Sequence, residues 1–551
     1  MNTGSINPAA RNFLRSFAHS SAAQREVLLQ RIVPANTGCD FGRRHGFSSI
    51  RSVSDFQRAV SICDYEDLRG DIERMAQGEP GVLTSEPVRR FFITSGSIAA
   101  PKYIPVTPSL IRDKSRAFQI FWSLVREEYP RASQGSLIFN FSDTGHEQRT
   151  TGGLLCGSES SFWNACWRGM SGNVRCPFPG AITNITDPEA RYYAIARILL
   201  ELEVTALMTL NPSTLLLLFE VIHRNAQRLI RDIGRGGISL TVPRDAGEYI
   251  AAHFQGNQRR ARELEKMLSE TEVSTANRLW PTLQLAVCWR SPMVRPYIEL
   301  LAPFLGDIPQ RDYLAMASEG ILAIPFRNES SGGILPIHTH FYEFIPEELA
   351  EQADPPTLLA HELEAGRTYA VVLTTSAGLY RYSIGDIIRV NEFHGSTPVL
   401  EFLHRTGHTC SLSGEKLTES QVADSVCSAA SRLGLILESF TLCPATRPYP
   451  HYFLLAEVEA PLSQLRANLF LTTLDEYLGL NNVEYRAKRS SRRLGAPELG
   501  LLPPGSHASL RQRRLNNGAN DAQIKIARLT REPDWDKQFQ VMERISCKSL
   551  M

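Results

Sequence analysis

Between the apolar pairs Phe92-Ile93 and Tyr103-Ile104 lies Thr94-Ser95-Gly96-Ser97-Ile98-Ala99-Ala100-Pro101-Lys102, a run of small and hydroxyl residues closed by a lysine. Such a run can hold polyphosphate. Small residues bare the backbone N–H groups, hydroxyls add donors and the lysine supplies a cation. It is not a P-loop, whose G-x-x-x-x-G-K-[ST] spacing it lacks. Read by itself it is equally a Ser/Gly turn between two strands.

Two further strings offer carboxylates. Ser318-Glu319-Gly320, after Tyr313-Leu314-Ala315-Met316-Ala317, can present Glu319 to Mg²⁺, an ion that prefers hard oxygen ligands. As a lone tripeptide it is more often a surface turn. Gly378-Leu379-Tyr380-Arg381-Tyr382-Ser383-Ile384-Gly385-Asp386 ends in a Gly-Asp whose carboxylate suits the paired donors of a ribose diol, or simply closes a β-turn. His338-Thr339-His340 places two imidazoles on one strand face; without a third ligand the pair reads as structural. No G-x-S-x-G elbow supports a serine hydrolase.

These residues need a scaffold, and 551 residues provide two to four structural units. A 43% apolar and 21% charged chain is an ordinary globular composition, and a net charge of +1 argues against nucleic acid or an anionic membrane as partner. Met1 to His19 carries no apolar signal-peptide core, and no run is long enough to span a bilayer. Ten cysteines without a C-x-x-C pair fit reduced thiols, so the chain is expected in the cytoplasm.

Strand-like and helical stretches alternate. A helix is read at Ile111 to Glu128, a strand at Ser136 to Phe139, and a long helical zone from Pro188 to Arg231 broken at Asn211-Pro212. A polar helix follows at Arg259 to Thr271, then a strand at Leu283 to Val287 and β-rich sequence from Tyr369. This predicts an α/β fold with parallel and mixed sheets. The composition changes after Arg405, dividing a large 1–405 domain from a smaller 406–551 domain. In the latter, Thr418 and Gln421 predict a capping box for a helix from Glu419, and a strand is read at Tyr452 to Glu457. The basic stretch Arg486 to Arg514 reads as a solvated loop.

The order of hydroxyl loop, Ser-Glu-Gly, Gly-Asp, Arg405 and a small C-terminal domain resembles the adenylate-forming enzymes, whose loop reads T-S-G-[ST]-T-G-x-P-K. Within them, Tyr-Arg-Tyr-x-x-Gly-Asp, Phe341-Tyr342-Glu343-Phe344-Ile345-Pro346 and Ser413-Gly414-Glu415-Lys416-Leu417-Thr418-Glu419 resemble the acyl-acid amido synthetases of the auxin-responsive Gretchen Hagen family. Asn36-Thr37, Tyr65-Glu66-Asp67, Trp280-Pro281 and Gln523-Ile524-Lys525 extend the likeness over most of the chain.

The resemblance implies a monomeric, Mg²⁺- and ATP-dependent ligase. It would activate a carboxylic acid as acyl-adenylate and pass it to an amine, typically that of an amino acid. Thr94, Ser95, Gly96, Ser97 and Lys102 would hold phosphates, Glu319 the metal, and Phe341, Tyr380, Arg381, Asp386 and Arg405 the nucleoside end. Ser95, Glu319 and Lys525 would act catalytically, Lys525 arriving on a mobile α+β C-terminal domain. Two positions depart from the pattern. Ile98 stands in place of a hydroxyl and Ala99 in place of a glycine, which leaves a decayed binding protein as one alternative reading; an acyl-CoA ligase, sharing the first half-reaction but with a thiol acceptor, is the other.

Overall fold

The computed structural model describes residues 15–94, 102–139, 147–168, 178–269, 275–352, 354–405, 409–458, 462–516 and 528–546. The described residues pack as two units, one before residue 406 and one from 409 onward.

In the first unit, Ser136–Phe139, Val204–Met208, Leu285–Val287 and Gln310–Arg311 form a four-stranded sheet, parallel throughout. Its second strand lies inside the segment expected to be helical. Every residue of Val204–Met208 is buried. A strand covered on both faces shows no alternation, so its apolar run cannot be told from a buried helix by period. The helices on either side, Pro188–Leu199 and Pro212–Arg224, both start with proline. Asp187 caps the first by accepting from the Ala190 N–H at 2.7 Å, and Asn211 caps the second by accepting from Ser213 at 2.9 Å. The break read at Asn211-Pro212 is thus a helix start.

The second sheet of this unit is antiparallel: Gly333–Ile334, Thr397–Arg405, Tyr382–His394, Thr368–Thr374, Phe341–Pro346 and Leu358–Leu359, in that spatial order. A third, mixed sheet runs Lys102–Val106, Arg90–Thr94, Leu155–Gly157, Glu147–Arg149. A short hairpin, Ala315–Met316 with Ile321–Ala323, carries Ser318 and Glu319 at its turn.

In the second unit, Leu437–Ala445, His451–Val458, Glu498–Leu502 and Glu543–Ser546 form a four-stranded mixed sheet. Helices Glu419–Arg432 and Gln464–Asn481 pack with it through Val422, Val426, Phe470, Leu474 and Leu478. The capping box is present: Gln421 N–H donates to Thr418 Oγ1, and Thr418 N–H to Gln421 Oε1, both at 3.1 Å. The basic stretch is not a loop. It contributes to helix Val483–Ser490, strand Glu498–Leu502 and helix Ser506–Asn516. Its arginines disguise apolar anchors, since Leu494, Leu499, Leu501 and Leu510 are buried.

Candidate active site

Thr94 and Lys102 face one another in register as the last pair of an antiparallel hairpin, on the side of the connecting segment. The hydroxyl segment joins these two strands, and Ser95, Gly96, Ser97, Ile98 and Ala99 lie outside the described residues. Lys102 lies over the Tyr65 ring, its ammonium 5.1 Å from the centroid. Burial holds its pKa below the ordinary lysine range, Glu319 partly offsets that, and Arg405 adds to the fall. A lysine of the hairpin, a carboxylate of a separate turn and an arginine of the second sheet therefore share one field.

Glu319 is 6% exposed. Its hairpin turn closes tightly, the Ala317 N–H donating to Gly320 O at 2.9 Å and the Gly320 N–H to Ala317 O at 3.2 Å. Glycine is required at 320 because a Cβ there would stand 2.9 Å from the His340 ring and 3.0 Å from Leu373.

Asp386 and Arg405 come from neighbouring antiparallel strands, in register. Arg405 Nε donates to Asp386 Oδ1 at 2.5 Å, and among the described residues only that carboxylate oxygen is engaged. Burial works against the guanidinium charge, but Asp386 and then Glu319 outweigh it and make Arg405 more basic than usual. Tyr382 joins the group from the strand that carries Asp386. Burial, then Glu319, raises its phenol pKa well beyond the ordinary range. Reading the Tyr-Arg-Tyr string for its first two members missed Tyr382. Period-two alternation from Asp386 back through Ile384 to Tyr382 was the available signal, and those three are the more buried positions of that stretch.

Tyr380, Arg381 and Phe341 do not join the group. Tyr380 is fully buried, donates to Leu83 O at 2.7 Å and stacks on Phe41 at 4.6 Å. Arg381, at φ +46°, grips Glu343 through Nε at 2.9 Å and Nη2 at 3.0 Å, and its Nη1 donates to the Gln57 and Val60 carbonyls. Phe341 is 1% exposed and meets Phe56 edge-on at 6.2 Å. Tyr380 and Arg381 tie down the chain just before the strand that carries Tyr382 and Asp386. The two histidines lie in the turn before strand Phe341–Pro346 rather than on one strand face. His338 Nε2 reaches Ser16 O at 2.9 Å, whereas His340 is fully buried. Lys525 lies outside the described residues.

Two cations, two carboxylates and a phenol thus converge from four separate stretches of chain. The cations suit phosphate oxygens, and the free oxygen of Asp386 suits a hydroxyl donor. Among the described residues, no group of three or more His, Cys, Asp or Glu could hold a metal ion by itself. A single carboxylate at Glu319 fits an ion that takes its remaining ligands from water and substrate phosphates, as Mg²⁺ does.

Three family models match the chain: the GH3 family N-terminal domain over residues 9–310, the central domain over 333–405 and the C-terminal domain over 420–534. Among curated proteins, the indole-3-acetic acid-amido synthetase GH3.4 of Arabidopsis thaliana is 24% identical over 96% of this chain and 92% of its own. The jasmonoyl–L-amino acid synthetase GH3.5 of Oryza sativa subsp. japonica is 23% identical over 97% and 96%. The solved GH3.15 acyl acid amido synthetase matches in fold with a TM-score of 0.64 at 22% identity, over 98% of this chain and 97% of that one.

Proposed function

The chain belongs to the GH3 family, and from that premise we propose that it is an ATP-dependent acyl-acid amido synthetase. The carboxylate oxygen of an acid attacks the α-phosphorus of ATP, forming the acyl–phosphate bond as pyrophosphate leaves. The amine of an amino acid then attacks the acyl carbon, forms the amide, loses a proton and expels AMP. The observation that carries this reading is the convergence of Lys102, Glu319, Tyr382, Asp386 and Arg405 around one field.

In this reading Asp386 takes the ribose hydroxyls while Arg405 orients its carboxylate. Lys102, with Ser95, Gly96 and Ser97, steadies the phosphates whose charge grows as pyrophosphate departs. Glu319 would hold Mg²⁺, which supplies charge neutralisation at the phosphates. Lys525 would add a second cation at the α-phosphate. No helix among the described residues is long and apolar enough to cross a membrane. We place the reaction on soluble small molecules in the cytoplasm.

The test is a pyrophosphate-release screen over carboxylic acids, with and without amino acids. Release that needs an acid, followed by amide product only when an amino acid is present, is expected. Product with coenzyme A instead of an amino acid would make the protein an acyl-CoA ligase. No release with any of the acids would leave a binding protein.

A further inference from the structure

We propose that Lys114, which lies in none of the three motifs, is a positioning residue for this reaction and fixes the Glu319 turn. The inference rests on the reading of Glu319 given above.

Lys114 belongs to helix Pro108–Glu128, which leaves the phosphate hairpin through strand Lys102–Val106. Its side chain is 1% exposed. The ammonium donates to Glu159 Oε1 at 2.5 Å, to Ala317 O at 2.7 Å and to Ser318 O at 3.2 Å. That uses all three of its donors. The two carbonyls belong to the residues immediately before Glu319, so the ammonium holds the turn from behind. It also lies 5.5 Å from the centroid of Phe92, in the strand that leads into the hydroxyl segment.

Its partner is held in turn. Glu159 Oε1 also accepts from Trp163 Nε1 at 3.0 Å, and Trp163 packs on Phe118 of the Lys114 helix at 5.0 Å. Lys114 thereby joins the strand before the hydroxyl segment, helix Glu159–Arg168 and the Glu319 turn.

A buried ion pair is a poor source of stability, since apolar residues of similar volume commonly serve as well. What the pair does provide is direction. A tetrahedral donor set aimed at two successive carbonyls leaves the turn one height and one orientation. A methionine in its place would fill the volume and hold neither carbonyl.

The experiment titrates Mg-ATP calorimetrically into the wild type, Glu319→Gln, Lys114→Met, Lys114→Arg and Lys114→Met/Glu159→Met, and records each melting temperature. Lys114→Met should weaken Mg-ATP binding about tenfold, the loss of one well-placed charged contact. The double variant should recover the melting temperature, because Glu159 is no longer buried without its partner, yet keep the weakened binding. Lys114→Arg retains charge in a planar fork; weaker binding at an unchanged melting temperature supports positioning. Recovery of both binding and melting in the double variant makes Lys114 structural and overturns the inference. If Glu319→Gln binds like wild type, the reading of Glu319 falls and the inference with it. If Glu319→Gln is weak while the Lys114 double variant is not, only the inference falls.

Discussion

Asp386 and Arg405 stand opposite one another on adjacent antiparallel strands, and the guanidinium Nε donates to one carboxylate oxygen at 2.5 Å. The pairing engages one oxygen of Asp386 and leaves the other open among the described residues. It also carries the arginine at the end of the first unit into the same field as Lys102 and Glu319.

Asp386→Ala should raise the KM for ATP roughly ten- to a hundredfold, the cost of hydrogen bonds to a charged acceptor worth about 1.5–3 kcal/mol. Steady-state kinetics at saturating acid read this directly. ATP kinetics equal to wild type would remove the ribose assignment.

Arg381 is held by Glu343 and by two backbone carbonyls, those of Gln57 and Val60. Glu343→Gln keeps the shape but leaves a buried guanidinium with its countercharge gone, a change expected to destabilise by about 3–5 kcal/mol. Urea denaturation measures it, and a loss under about 0.5 kcal/mol would contradict the account. Pairing it with Arg381→Met should recover most of the difference.

Gly320→Ala forces a methyl group to within 3 Å of the His340 ring and Leu373. Overpacking of this kind costs about 1–3 kcal/mol. Because Glu319 is the preceding residue, Mg-ATP binding should weaken as well. His340→Ala added to Gly320→Ala should relieve the stability loss. If the single variant melts like wild type, the turn is looser than its geometry indicates.

His340 is buried among apolar and cationic neighbours. Burial, with repulsion from Lys114 and Arg31, pushes its pKa down from 6.5 to about 3. From pH 6.5 down towards 3, the unfolded chain binds a proton that the folded imidazole refuses. Stability is therefore present above pH 6.5 and lost as pH falls, by about 1 kcal/mol per unit from this residue. His340→Leu should flatten that slope between pH 7 and 5. Equal slopes for variant and wild type, measured by chemical denaturation, would show that His340 does not titrate this way.

The chemistry-bearing residues were legible where they sit in strings of unusual types. Ser318-Glu319-Gly320 and Gly385-Asp386 stand out because an acid set beside glycine is a local string that can be read without knowledge of its neighbours. The Thr418–Gln421 capping box was equally readable, since caps are local hydrogen bonds within four residues. The order of the chemistry-bearing strings pointed to the adenylate-forming enzymes, and Tyr-Arg-Tyr-x-x-Gly-Asp with Gly414-Glu415-Lys416 narrowed that to the family.

Contacts between distant segments were not legible. Val204–Met208 looked helical because complete burial erases the alternation that marks a strand. Arg381 looked like a ligand residue because nothing in Tyr-Arg-Tyr announces Glu343, 38 residues away, as its partner. Lys114 drew no notice at all, since its meaning comes from carbonyls 203 and 204 residues further on. A side chain's type is written in the chain, and so are its local hydrogen bonds. Which charges it meets is decided only when packing brings remote segments together and removes the water between them.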